Sequence, residues 1–300
     1  MYSDDDEFVA SVSEFIDEGL SANEPTLAVL DVIKIDRLRA ALGPSADRVR
    51  FADMGEVGSN PARILATWQE FVGGYDIDTR LRGVGEPVSP GRTPAELVEC
   101  QLHESLLNIA FDGDANMHLV CPYDARRLDD QVLANARRSH PYVEQAGCDG
   151  ANTEYYGAEA TRIFSESLPR PSVTPAELRF SSGPLHHFRR FVEQHAADAG
   201  LSASRLDDAV LAANELASNS LVHGGGSGLA RAWSDNDMFI CEVHDSGYIE
   251  DPLAGRLRPS IDDTEGRGMW MANQLCDLLQ VRSSKQGTVV RLHLRVLDTA

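Results

Sequence analysis

Residues 214–224 read Asn214-Glu215-Leu216-Ala217-Ser218-Asn219-Ser220-Leu221-Val222-His223-Gly224, and they close a long pattern in which Leu206, Val210, Ala213, Ala217 and Leu221 recur at helical spacing. Glu215 and Asn219 stand at i and i+4, where Cβ atoms are neighbours on a helix. A carboxylate that can take a proton and an amide oxygen that can hold a hard cation therefore project from one face. The pair combines a base with a metal ligand.

Three glycine signatures follow in order. Asp245-Ser246-Gly247 succeeds the apolar run Met238 to Val243, which predicts a strand. An ionised Asp is an acceptor-only group suited to the exocyclic amine of adenine, and Gly247 lets a flat base approach the backbone. Gly266-Arg267-Gly268 precedes a short apolar helix beginning near Met269, so that free amides can meet phosphate oxygens at a helix start. Gly287-Thr288 opens the alternating strand Val289 to Val296, with a hydroxyl placed to brace Asp245 from below. Taken singly, a Glu and an Asn on one face make a solvated helix, Asp-Ser-Gly makes a turn, a double glycine is a weak pattern, and Gly-Thr makes a hairpin. In this order, over Leu211 to Thr288, the four suit one nucleotide site.

At these residues the sequence resembles the GHKL (Bergerat-fold) ATPases, and among them the anti-sigma-factor serine kinases of bacterial stress-response regulation. His223-Gly224 closing the first motif and a lid of eighteen residues between Gly247 and Gly266 favour that branch. The resemblance covers about residues 178 to 296. It implies a Bergerat-type α/β sandwich binding ATP and magnesium, with Asn219 as the metal ligand, Glu215 as general base and Asp245 on adenine. Gly247, Gly266, Gly268 and Thr288 form the close nucleotide shell, with Arg267 and Gly287 beside them. His223 has two open roles, complementing the helix dipole or standing near the phosphates. The implied partners are a sigma factor, held inactive, and a small anti-anti-sigma protein of the STAS type with a target serine; the family also suggests a homodimer.

The 300 residues suggest two domains of ordinary size. The net charge of −20 is uneven, with 27 acids and 13 bases in residues 1–150 and 20 acids and 14 bases in the remainder. Direct binding to nucleic acid is disfavoured, which leaves basic protein surfaces or small ligands. Five cysteines, odd in number and without a CxxC pair, argue against a disulfide framework or zinc finger. Together with an acidic start (Asp4, Asp5, Asp6, Glu7) and no long apolar run, they lead us to expect a cytoplasmic protein without a membrane span.

Helix and strand alternate through the first 140 residues. An amphipathic helix with Phe8, Val12, Phe15, Ile16 and Leu20 precedes a strand over Thr26 to Val32. Then come a helix over Asp36 to Leu42, a strand over Arg48 to Met54, and a helix over Pro61 to Val72 capped by Asn60. Gly83 to Gly91 reads as turns; Thr93-Pro94 opens a long helix, His118 to Cys121 is a strand, and Asp129 to His140 a helix. The alternation predicts an α/β domain around a largely parallel sheet. No phosphate-cradling glycine loop follows any of its strands.

The phrases Phe51-Ala52-Asp53-Met54-Gly55-Glu56-Val57-Gly58, Asn60-Pro61-Ala62-Arg63-Ile64, Glu99-Cys100-Gln101-Leu102-His103-Glu104, Cys121-Pro122-Tyr123-Asp124 and Ser139-His140-Pro141 resemble the MEDS domain, a sensory module also fused to anti-sigma kinases. The match spans about residues 7 to 141 and implies sensing of an unknown small ligand. Cys100, His103, Cys121 and His140 include donors that could hold a metal, against which stands the habit of Cys as a small buried hydrophobe. Trp68 is expected to pack the Pro61 helix against the sheet. The domains are thus expected at 1–141 and 178–300, joined by a linker over 142–177.

Beyond the linker, Leu178 to Phe180 reads as a strand, Pro184 to Ala199 as a helix ended by Gly200, and Ser202 as the cap of the helix carrying Glu215. His186 and His187 lack a preceding two-helix hairpin, which speaks for a surface role and against a histidine kinase. Two rivals to the serine-kinase reading stand: a nucleotide-gated module that binds a partner without phosphorylating it, and a histidine kinase.

Overall fold

The computed structural model, which describes residues 1–111, 116–145, 148–260 and 266–296, divides into two units, Met1–Ala160 and Thr161–Ala300. In the first, α1 (Asp5–Ser21) is capped by Asp4, which accepts from the Glu7 amide at 2.8 Å, and leads into β1 (Thr26–Leu30). Asp31 then caps α2 (Val32–Leu42) by accepting from the Lys34 amide, so Val32 starts a helix instead of ending a strand. A 3-10 turn leads to β2 (Val49–Asp53); α3 (Met54–Val57), a second 3-10 turn and α4 (Ile64–Gly73) lead to β3 (Leu81–Gly85). After α5 (Pro94–Ala110), opened by a Thr93–Glu96 capping box, come β4 (Met117–Val120) and α6 (Asp130–Ser139). The strands pair in the order β2-β1-β3-β4, all parallel, as the alternation predicts.

β3 is an interior strand where the sequence reads as turns. Its glycines serve packing: a Cβ on Gly83 would come within 2.9 Å of the Trp68 ring and one on Gly85 within 3.0 Å, so glycine lets the indole of α4 lie flat on the sheet. Trp68, 1% exposed, packs as expected. Side chains alternate across a strand, so Arg82 and Val84 face the opposite side. There Val84 joins Phe8, Val12 and Ile16 of α1 and Leu38 of α2 in one core. Helices on both faces make the sheet doubly wound, with its order reversing between β1 and β3.

The stretch expected to be a linker carries structure. β5 (Tyr142–Gln145) and β6 (Cys148–Ala151) pair antiparallel, and a 3-10 helix spans Gly157–Ser165.

In the second unit, β7 (Ala176–Ser181), α7 (His186–Ala199), α8 (Ala203–Val222), β8 (Ser227–Asp235), β9 (Met238–Asp245), α9 (Arg267–Leu275), β10 (Leu278–Ser284) and β11 (Gly287–Arg295) follow in order. The sheet runs β10-β11-β9-β8-β7, every pair antiparallel. Gly200, left-handed at φ 93°, ends α7 as predicted, whereas Ser202 stands at the start of α8 without a side-chain capping bond. α7 and α8 pack on one face of the sheet, over Phe239, Cys241 and Val243 of β9 and the small residues Ala230 and Ala232 of β8.

The other face is charged. Glu242, 2% exposed, meets Arg291 at 2.7 and 2.5 Å, Arg231 at 3.6 Å, and His244. Arg291 lies 5.2 Å over the Trp233 ring and donates to the Pro169 carbonyl at 2.8 Å, fastening the segment before β7 to the sheet. Among the described residues no helix is long and apolar enough to cross a membrane.

Candidate functional site

α8 carries both halves of the predicted site. Glu215 and Asn219 stand one turn apart on it, and Ser220, the residue after Asn219, adds a new contact. α9 runs antiparallel to α8. Arg205 near the start of α8 donates to the Leu275 carbonyl at 2.9 Å and pairs with Asp277 at 2.5 Å, while the first turn of α9 meets Glu215 and Asn219. A Cβ built on Gly268 would lie 2.7 Å from Glu215 Oε2 and 3.7 Å from Asn219 Nδ2. Glycine thus lets the helix start approach the carboxylate without displacing its free end. Gly266, left-handed at φ 80°, sets that start, and the amides of Arg267 and Gly268 belong to the turn whose N–H groups have no helical acceptor.

Asp245 ends β9 beside Ser220. Its carboxylate accepts from Ser220 Oγ at 2.6 Å and from the Gly247 amide at 2.8 Å, which fixes its orientation and leaves lone pairs for a donor such as an exocyclic amine. Thr288 is the register partner of Asp245 across β9 and β11, but its hydroxyl donates to the Gly247 carbonyl at 2.9 Å and meets Ser283 Oγ at 2.8 Å. The expected brace therefore acts on the loop after Asp245, and the hydroxyl touching the carboxylate is that of Ser220. Ser283 continues the chain of contacts by accepting from the Ile249 amide at 2.7 Å.

His223 is exposed at the end of α8; its carbonyl, 2.8 Å from where a Gly247 Cβ would stand, packs on the same loop. A Cβ on Gly287 would meet the Asp245 carbonyl. Arg267 is exposed at the first position of α9. All ten predicted residues thus fall on α8, the Asp245 loop, the start of α9 and the start of β11. The lid residues 261–265 lie outside the described residues.

Sequence reasoning missed Ser220 and Ser283. Ser220 directly follows Asn219 and is itself buried, the one signal available. A second missed contact supports the lid, where Asn273 of α9 donates to the Gly255 carbonyl at 2.8 Å. His186 and His187 are exposed at the start of α7, rings 3.9 Å apart. Cys100, His103, Cys121 and His140 form no metal site: among the described residues no group of three or more donors could hold an ion. Cys100 donates to the Pro87 carbonyl, and burial pushes its thiol up to about 12. None of Cys100, Cys121, Cys241 and Cys276 is in a disulfide.

The chemistry of the donor set fits a nucleotide with its metal: an oriented acceptor for the base, helix-start amides for phosphates, an amide oxygen for a cation and a carboxylate beside them. Residues 181–294 match the histidine kinase-like ATPase domain, and residues 1–141 match MEDS, the methanogen/methylotroph DcmR sensory domain. No curated protein matches the chain. Among solved structures, the RsbU and RsbW domains of a protein from Mycobacterium tuberculosis are similar at 19% identity and a TM-score of 0.32, over 41% of this chain; this chain spans 32% of that one. The chain thus carries a MEDS domain over residues 1–141 and a histidine kinase-like ATPase domain over residues 181–294.

Proposed function

We propose that residues 178–300 bind ATP with magnesium, hold a sigma factor inactive, and phosphorylate a serine of a STAS-type anti-anti-sigma protein, under control of residues 1–141 as a sensor. The observation that carries this reading is the convergence of Glu215, Asn219 and Gly268 at the start of α9, on the same helix whose Ser220 orients Asp245. Asn219 and the first amides of α9 are the groups that would hold metal and phosphates. Bound magnesium would neutralise the phosphate charge. Glu215, half-buried beside Gly268, is placed to take the proton of an incoming serine hydroxyl. Asp245 reads the base.

The net charge of −20 supports a partner with a basic surface, and the same reading places the protein in the cytoplasm. The test is single-turnover transfer of labelled γ-phosphate to a cognate STAS-type antagonist, followed by acid and alkali treatment of the product. An acid-stable, alkali-labile product is expected. An acid-labile product would indicate a histidine kinase. Tight ATP and sigma binding with no transfer would instead leave a binding module.

A further inference from the structure

In the first unit, the crevice outside the carboxyl ends of β1 and β3, where open α/β sheets hold ligands, is filled by the chain itself. Tyr2, 4% exposed, donates to Glu86 at 2.7 Å and accepts from Lys34 at 2.8 Å. Beside this plug a cavity of about 630 Å³ opens at the sheet edge, between α1, β4 and the stretch leading from α6 into β5. That volume suits a small organic molecule.

The polar groups at its floor are acceptors. Tyr123 donates its phenolic proton to the buried Glu104, as Tyr2 does to Glu86. His140 Nδ1 lies 2.7 Å from the Ala136 carbonyl, which can only accept. Nδ1 therefore carries the ring proton, and in the neutral ring Nε2 is left as an acceptor. At the mouth α1 contributes Glu7, Glu14 and Glu18, against one guanidinium, Arg137, among the described lining residues.

Aromatic rings complete the walls, and several already attract cations of the chain. Lys34 lies 5.3 Å from the centroid of Tyr2 and 5.1 Å from that of Phe8, and Arg82 lies 4.6 Å from that of Phe15. Acceptors, carboxylates and ring faces together select a positively charged donor. The excess of 27 acids over 13 bases in residues 1–150 acts in the same direction.

We propose that this cavity is a ligand site and that its ligand is a protonated organic amine with an apolar or aromatic body. The proposal rests on reading residues 1–141 as a sensor. It is tested by calorimetric titration of the full chain with phenethylamine, its neutral analogue phenethyl alcohol and the anion phenylpropionate, at neutral pH. The amine is expected to bind roughly tenfold or more tightly than the alcohol, and the anion not to bind. Glu14→Gln with Glu18→Gln, two exposed changes on α1, should weaken amine binding about three- to tenfold and leave the alcohol unaffected. An alcohol that binds as tightly as the amine, no binding of the amine, or a double variant that binds the amine like the wild type overturns the proposal. Magnesium-ATP titrated into the same samples separates the two sites. ATP binding without amine binding sinks the cavity assignment alone, and amine binding without ATP binding upholds it while removing the nucleotide reading.

Discussion

The two sheets treat buried charge in opposite ways. On the antiparallel sheet, burial pushes Glu242 up, yet the His244 hydrogen bond and Arg291 outweigh it and hold the carboxyl below its ordinary range. His293 on the same sheet, buried and close to Arg291, is pushed down to about 3. In the parallel unit burial wins: Glu86 is raised despite Lys34, and Glu104 is raised despite His140 and the Tyr123 hydrogen bond. The charged face of the antiparallel sheet is thus a network of mutually paired side chains, separate from the proposed site on α8 and α9. In the parallel unit, Glu86 with its Lys34 partner and Glu104 with its Tyr123 partner lie behind the proposed amine cavity.

Four measurements can break or sharpen that contrast. The largest effect is expected at Glu215, since Glu215→Gln keeps shape but removes basicity; phosphoryl transfer should fall by roughly 10²- to 10⁴-fold with ATP binding retained. Undiminished transfer would remove Glu215 from the chemistry. Asp245→Asn turns one acceptor into a donor facing the Gly247 amide, Ser220 or the base, and calorimetry should show ATP affinity lowered about 10- to 100-fold. Wild-type affinity there would mean that the antiparallel unit reads its nucleotide elsewhere.

Gly268→Ala inserts a methyl 2.7 Å from Glu215 Oε2. Overpacking of this kind should lower transfer by about tenfold without altering exchange in the parallel unit; an inactive variant whose parallel unit also loosens would mean that the defect is global.

The smallest effect is the pH response. His293 and Glu242 bind fewer protons folded than unfolded, so the second unit should lose stability as pH falls through the imidazole and carboxylate ranges toward about 3. Glu86 and Glu104 bind more protons folded than unfolded just above the ordinary carboxylate range, so the first unit should gain stability as pH falls through that window. Region-resolved hydrogen exchange across mild acid would show the two trends diverge, and Glu104→Gln should flatten the first. Parallel trends in both units would remove the contrast.

The helical stripe of α8 and the glycine signatures were legible because short-range spacing alone places their residues. What escaped needed tertiary contacts. β3 reads as turns because Gly83 and Gly85 make room for Trp68, and no sequence period records an indole arriving from another element. β8 does not stand out in the sequence because its helix-facing side is built from Gly228, Ala230 and Ala232, too small to register as an apolar face. β10 does not stand out in the sequence because both its sides are buried, with Gln280 and Arg282 among them, so alternation disappears. Ser220 escaped because its partner, Asp245, lies 25 residues on.

The Pro169 carbonyl that accepts from Arg291 bears on how the second unit can be isolated. Resemblance to ATPase domains begins at residue 181, but the row of buried charges on the sheet is completed by a backbone group upstream of that point. A fragment trimmed to the matching residues, or started at Ser172, would leave one face of Arg291 to water and reopen the Glu242 row. One started at Thr161 inherits the fastening, so the unit of inheritance and the unit of folding have different first residues.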